Sequence, residues 1–187
     1  MAVKSTNPQI DRNRVAYLTR ELLLAIGEDP EREGLKGTPE RVAGFWQEFI
    51  EYEPGNLDAT FEAITTDQMV VVSGLRVWSL CEHHLLPFWC DISIGYIARD
   101  RVLGLSKFAR VAHMLAHRPQ IQERLVHQIA DRIERLTGSQ DVAVMATGVH
   151  TCMIMRGIRT PGEMKTTVMR GVFFDKPEAR QEFLSLL

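Results

Sequence analysis

Cysteine is scarce, net charge is almost balanced and long apolar runs are missing, and each shortage removes a class of protein. Three cysteines cannot all pair and are too few for a disulfide-framed secreted domain. Lysine and arginine number 22 against 24 aspartates and glutamates, a formal charge of −2, so no global field draws the chain to nucleic acid. Any site for a polyanion must therefore be a local cluster of cations. No apolar run reaches the roughly 18 residues that a membrane-spanning helix needs. The opening MAVKSTNPQIDRNR lacks the apolar core of a secretion signal, which predicts a cytoplasmic protein whose thiols stay reduced. Internal repeats and low-complexity tracts are also missing. What is present is a chain of 187 residues, 45% hydrophobic and 25% charged, which suits one domain with a core of its own.

Two helices open that domain. Val15, Leu18, Leu22, Ala25 and Ile26 recur at helical spacing before Gly27. Thr38, Pro39 and Glu40 read as a helix start, after which Val42, Phe45, Trp46, Phe49 and Ile50 line one face. Between them, Glu28 to Gly37 reads as a loop. The helical region is set at 1–66 and the remainder at 67–187, together one domain. In the second part the pattern turns to β: Met69 to Val72, Arg76 to Leu80, Asp91 to Ala98 and Arg101 to Leu105, the last two joined by a turn at Arg99 and Asp100. Ser106 reads as an N-cap for a helix through His117. Pro119 reads as the start of a longer helix with Ile121, Leu125, Ile129, Ile133 and Leu136 on its buried stripe and Gly138 as its stop. Strand patterns resume at Asp141 to Val149 and Thr166 to Phe174. This order is α+β: an antiparallel four-stranded sheet with two consecutive helices inserted, preceded by N-terminal helices. Such a sheet leaves unpaired edges, which favours association with further copies.

The chemistry concentrates in Cys81, Glu82, His83 and His84, with His150, Thr151 and Cys152 far downstream. Two thiolates and one imidazole, from Cys81, His84 and Cys152, would hold zinc with a fourth position open to water, whereas a structural zinc site usually closes with four protein ligands. A lone C-x-x-H decides nothing by itself. Cys90 reads as a small buried hydrophobe. Met153 and Met155 read as core. His113 and His117 have the i, i+4 spacing of a metalloprotease pair, but no glutamate follows His113, so that reading fails. His127 reads as a surface residue.

Four runs in order, Cys81 to Phe88 (CEHHLLPF), Gly104 to Lys107 (GLSK), Arg118 to Leu125 (RPQIQERL) and His150 to Gly157 (HTCMIMRG), resemble GTP cyclohydrolase I. The resemblance runs from about residue 10 to the carboxyl end. It implies the tunnelling fold, in which subunits join sheets edge to edge, and a homodecamer with active sites between subunits. It implies Zn2+ as cofactor, on Cys81, His84 and Cys152. The implied substrate is GTP, hydrolysed at C8 with loss of formate and rearrangement to 7,8-dihydroneopterin triphosphate.

Further roles follow from the same likeness. His83 and His150 match proton-transfer positions, the alternative being packing or support of the ligand turn. Glu123 matches the residue that holds guanine, against a plainer role complementing a helix dipole. Gln122 matches a polar neighbour in that pocket. Ser106, Lys107, Arg110 and Arg156 match phosphate-binding positions, though any one of them alone reads as a surface group. Arg118 and Arg159 read as structural or interfacial. Three positions depart from the family pattern: Cys90 for glycine, Ala98 for proline, and a shortened Pro161 to Lys165 segment. Two rivals stand beside this reading. One is a tunnelling-fold enzyme acting on a related purine or pterin, disfavoured by the cysteine ligands. The other is an inactive zinc-stabilised assembly or regulatory protein, disfavoured by the retention of His83, His150 and Glu123.

Overall fold

The computed structural model describes residues 9–57, 59–64 and 67–187 and divides the chain into two compact units, Met1–Glu53 and Pro54–Leu187. The first unit is a pair of helices, α1 (Arg12–Ala25) and α2 (Thr38–Ile50). Asp11 caps α1 by accepting from the Arg14 backbone N–H at 2.9 Å. Gly27 ends it at φ +86, a left-handed conformation that glycine adopts without cost. On α2, Phe45 and Phe49 stack at 5.7 Å between ring centroids. The α2 stripe is covered only in part, with Phe49 buried, Val42, Trp46 and Ile50 half-buried and Phe45 exposed, while on α1 only Leu23 is buried and Leu18, Leu22 and Ile26 are exposed. The expected α1 stripe is thus a surface of this chain rather than part of its core.

The second unit holds β1 (Thr60–Glu62), β2 (Gln68–Cys81), β3 (Pro87–Ala98), β4 (Arg101–Leu103), α3 (Leu105–Ala116), β5 (Pro119–Gln120), α4 (Gln122–Thr137) and β6 (Val142–His150). The short turn α5 (Thr151–Ile154), β7 (Met164–Met169), α6 (Val172–Asp175) and α7 (Pro177–Ser185) complete it. The α+β expectation agrees with this order. The main sheet runs β5-β2-β3-β6-β7, antiparallel except for the β2/β5 pair, and β1 with β4 makes a separate ribbon. No helix among the described residues is long and apolar enough to cross a membrane.

Several expected details are corrected. The two strand runs before Cys81 are one strand, interrupted by a register shift between Val72 and Leu75, where Gly74 takes φ +71. β4 does not pair with β3, because β2 and β6 already occupy both hydrogen-bonding edges of β3. It pairs instead with β1, and its Leu103 N–H donates to Tyr96 Oη at 2.9 Å. The sheet has five strands because Pro119 and Gln120 extend beside Leu80 and Cys81; α4 therefore starts at Gln122, not at Pro119. A proline can sit at a sheet edge, where no N–H is asked of it. Ser106 lies inside α3, whose N-cap is Gly104. Residues 172–175 form a helical turn rather than the end of a strand.

Alternation along β3 builds the core. Phe88, Cys90, Ile92, Ile94, Tyr96 and Ala98 are buried on one face, over Phe108, Val111 and Ala112 of α3 and Leu125, Ile129 and Ile133 of α4. Gly138 closes α4 in the left-handed conformation, its N–H donating to Glu134 O at 2.8 Å. The opposite face is not bare: Ile97 and Ala143 pack with Phe173 of α6 and Phe183 of α7. A Cβ on Gly95 would lie 2.8 Å from the Phe183 ring, so glycine there lets the ring reach the sheet. Phe183 is fully buried. Phe183→Ala is expected to cost about 3–5 kcal/mol, read as a lower midpoint in chemical denaturation with an unchanged slope.

Candidate metal centre

Two chain segments meet at one end of the sheet. The first is the β2–β3 turn, closed by the Cys81 N–H donating to Leu86 O and the Leu85 N–H to Cys81 O, both at 2.8 Å. Leu85 reverses the chain at φ +54. This tight reversal aims Cys81 and His84 the same way. The second is the end of β6, held by the register Phe88↔His150 and by Thr151 Oγ1 donating to Pro87 O at 2.5 Å. The turn α5 then places Cys152 opposite Cys81.

Ligand atoms of Cys81, His84 and Cys152 all lie within 4.8 Å of one another. Cys81 Sγ is 3.8 Å from Nδ1 of both His83 and His84. Cys81 is buried, Cys152 half-buried, and His83 and His84 are exposed, so the cluster opens to solvent on the imidazole side. Burial, then the neighbouring Cys81, push the Cys152 thiol up. A cation at this point would reverse that trend, because it favours thiolate. The donor set of two sulfurs and one imidazole suits zinc and leaves tetrahedral coordination one ligand short. The residues present fit a metal ion.

Around this cluster the predicted residues fall into two groups. His150 is brought close: its ring stacks on Phe88 at 4.5 Å and 11° between planes, and its Nε2 lies 2.9 Å from Gln122 Oε1. Burial pushes the His150 pKa down, and the Glu123 carboxylate pulls it back up. Glu123 is exposed in the first turn of α4, beside the fully buried Gln122. Arg156 reaches the cluster as well, with its guanidinium 2.6 Å from His84 Nε2.

Ser106, Lys107 and Arg110 are elsewhere. Ser79 Oγ donates to Ala116 O at 2.7 Å and to Arg118 O at 3.0 Å, which puts the C-terminal end of α3 near Cys81. At 1.5 Å per residue, Ser106 is about 15 Å back along that helix. There Lys107, only 8% exposed, donates to Asn56 O at 2.5 Å, and Arg110 donates to Pro54 O at 2.6 Å. Within one chain these cations hold the segment after residue 53 and do not converge on the cluster.

Other expectations resolve simply. Cys90 is fully buried in the core and its thiol is pushed up to about 12, first by burial and then by Asp91, as befits an inert hydrophobe. His113 and His117 stack at 5.8 Å, and burial pushes His117 down to about 4, so the pair stays neutral. His127 is exposed. Met155 is 61% exposed and Met153 half-buried, which corrects the core assignment; the turn α5 is too short to turn either side chain under the sheet. The sequence reading missed the ion pair of Glu82 with Arg124, at 2.6 Å, which ties the ligand turn to α4. Their separation of 42 residues left no local signal.

Residues 15–187 match the sequence profile of GTP cyclohydrolase I. The chain belongs to the GTP cyclohydrolase I family. It is 44% identical over 179 residues to GTP cyclohydrolase 1 of Sulfurihydrogenibium sp. (strain YO3AOP1), covering 95% of this chain and 96% of that one. The corresponding enzyme of Aquifex aeolicus is 43% identical, with 95% and 97% covered, and that of Dehalococcoides mccartyi (strain ATCC BAA-2266) is 45% identical, also with 95% and 97% covered. A looser likeness, 17% identical with a TM-score of 0.42 over 55% of this chain and 95% of the other, is to the crystal structure of the archaeosine synthase QueF-Like in the apo form.

In this family member the donor set can be tested directly. Cys152→Ala removes one of three donors at the margin of the core, where Cys152 is half-buried and packs against the main cluster. Zinc per chain, measured by elemental analysis after dialysis, is expected to fall well below the wild-type content while the circular dichroism spectrum is retained. Wild-type zinc content in the variant would remove Cys152 from the ligand set.

Proposed function

We propose that this chain hydrolyses GTP at C8, releases formate and yields 7,8-dihydroneopterin triphosphate, with zinc held by Cys81, His84 and Cys152. The observation that carries the reading is the meeting of those three donors beside His150, in a chain of the GTP cyclohydrolase I family. A zinc ion there would supply a nucleophilic water at neutral pH, which C8 of a purine otherwise lacks.

The residues divide the remaining work. Glu123, exposed in the first turn of α4 next to Gln122, accepts from guanine N1–H and the exocyclic amine together, a bidentate pattern that adenine cannot offer. His83, next to Cys81, and His150, two residues before Cys152, carry protons to the ring nitrogens as the C8 bond opens. A first water adds across C8 and opens the ring to a formamide; a second cleaves the formyl group as formate. The ribose then rearranges, and its carbonyl condenses with the freed amine, returning one water. The balance is GTP and water to product and formate, with no electron transfer and so no redox cofactor.

The triphosphate needs several cations. Arg156 serves from the same chain. Ser106, Lys107 and Arg110 serve from a neighbouring copy, because along α3 they sit about 9 to 15 Å from the end nearest the donor cluster, with Lys107 and Arg110 turned to Asn56 O and Pro54 O. With this we read the second unit as a tunnelling fold and the working form as a homodecamer with sites between subunits, the arrangement the family resemblance implies.

Purified protein given GTP is expected to release formate and to form a product that fluoresces after oxidation. ATP should give neither, and chelation of zinc should stop both. Glu123→Ala is expected to lower kcat/KM for GTP by about 100-fold, the loss of a charge-assisted bidentate contact. Equal turnover of GTP and ATP would remove the role of Glu123, and full activity in metal-free protein would remove that of zinc.

A further inference from the structure

Gln122 is fully buried, yet every polar atom of its amide has a partner. Its Nε2 donates to Ala146 O at 3.1 Å, to Met164 O at 2.9 Å and to Thr166 Oγ1 at 3.0 Å. Two of these acceptors are backbone carbonyls, which cannot donate. The amide nitrogen must therefore face β6 and β7, and the oxygen must face outward to His150 Nε2 at 2.9 Å. An amide oxygen only accepts. His150 Nε2 must in turn carry the proton.

The rest of the cage removes the other freedoms of that ring. Phe88 covers one face of the imidazole at 4.5 Å, and the Phe88↔His150 register fixes the backbone beneath both. Opposite Gln122, residue 148 is glycine: a Cβ there would overlap Gln122 Oε1 and come within 2.9 Å of Cys90 Sγ. The small residue makes room for the amide to reach from α4 across β6. Cys90, its cross-strand partner, fills the remaining space.

We propose that Gln122 is a positioning residue that fixes the tautomer of His150, holding its proton on Nε2 and leaving the Nδ1 lone pair as the ring's basic atom. Gln122 acts through His150 and does not contact the substrate. The assignment rests on the proposed GTP chemistry for its catalytic meaning, but the tautomer can be read without any turnover.

The experiment is magic-angle-spinning 15N spectroscopy of histidine-labelled holoenzyme, with the His150 signals assigned by their loss in His150→Asn. Wild type is expected to show a protonated Nε2 and an unprotonated Nδ1 at His150. In Gln122→Met, which keeps the bulk and removes the acceptor, the single tautomer should be lost. Its kcat should fall on the order of 10- to 100-fold while KM for GTP and zinc content hold. Gln122→Glu, taken up as the neutral acid so that its O–H donates to the β6 and β7 carbonyls, keeps an acceptor facing His150 and should restore the Nε2–H signature and at least tenfold of the kcat lost in Gln122→Met.

A protonated Nδ1 in the wild type would overturn the proposal, even if the Met variant failed to fold. So would an unchanged tautomer in Gln122→Met, or a defect confined to KM, which would make Gln122 a substrate contact. A wild type that shows the expected tautomer but does not consume GTP would sink the proposed function and leave the positioning intact.

Discussion

Strand β3 has both hydrogen-bonding edges occupied, and the meeting of the donor residues with His150 follows from that constraint. Its pairing with β2 sets the reversal that carries Cys81 and His84. Its pairing with β6 sets His150 opposite Phe88, and so brings Cys152 to the same end. Side chains alternate with a period of two, so a slip of one residue between β3 and β6 would turn Phe88 and His150 to opposite faces. The buried run from Phe88 to Ala98 forbids that slip, because it would expose the core face of the central strand. The hydrophobic pattern of the sheet thus fixes the donors' meeting point at no separate cost.

A second consequence concerns the polar group in that core. An amide buried without partners costs roughly 1–3 kcal/mol, so Gln122 is tolerable only because β6 and β7 supply acceptors and His150 a donor. Those acceptors become available only when the Ala146↔Thr166 register is correct. The site and the sheet are therefore coupled: the amide is satisfied in one pairing of β6 with β7 and unsatisfied in its neighbours. Glu82 and Arg124 add a peripheral tie between the ligand turn and α4, but both are largely solvated and contribute little to stability.

What could be read from the sequence was what is local. The stripe of α4, the α+β order, the tight C-x-x-H turn and the family motifs all involve residues near one another along the chain. Pro119 was misleading because a proline opens a helix and caps a sheet edge equally well, and only the vacant edge of β2 decides between them. The β3–β4 hairpin was misleading because strand propensity carries no information on whether an edge is already occupied. The α1 stripe is helical as its period required, but periodicity states that a face is apolar, not what covers it. Met155 followed the same error in a turn of four residues. Gln122 could be placed near the site by motif, yet its orientation depends on carbonyls of two strands more than 20 residues away.

The distribution of cations bears on what one chain can do alone. On the proposed reading a triphosphate brings several negative charges to a chain of net charge −2, so local cations must neutralise it. Arg156 is beside the donor cluster, while Lys107 and Arg110 spend their N–H groups on the carbonyls of Asn56 and Pro54. Those contacts do not waste them. A lysine buried to 8% exposure with a fixed carbonyl partner is held in one rotamer, so its charge can be presented to another surface with little further entropy to lose. The same helix whose Ala116 end lies near the donor cluster has its N-terminal amides at the opposite end. On the proposed reading, association of copies is then part of building the site: each subunit contributes the metal ligands to one pocket and the phosphate clamp to the next.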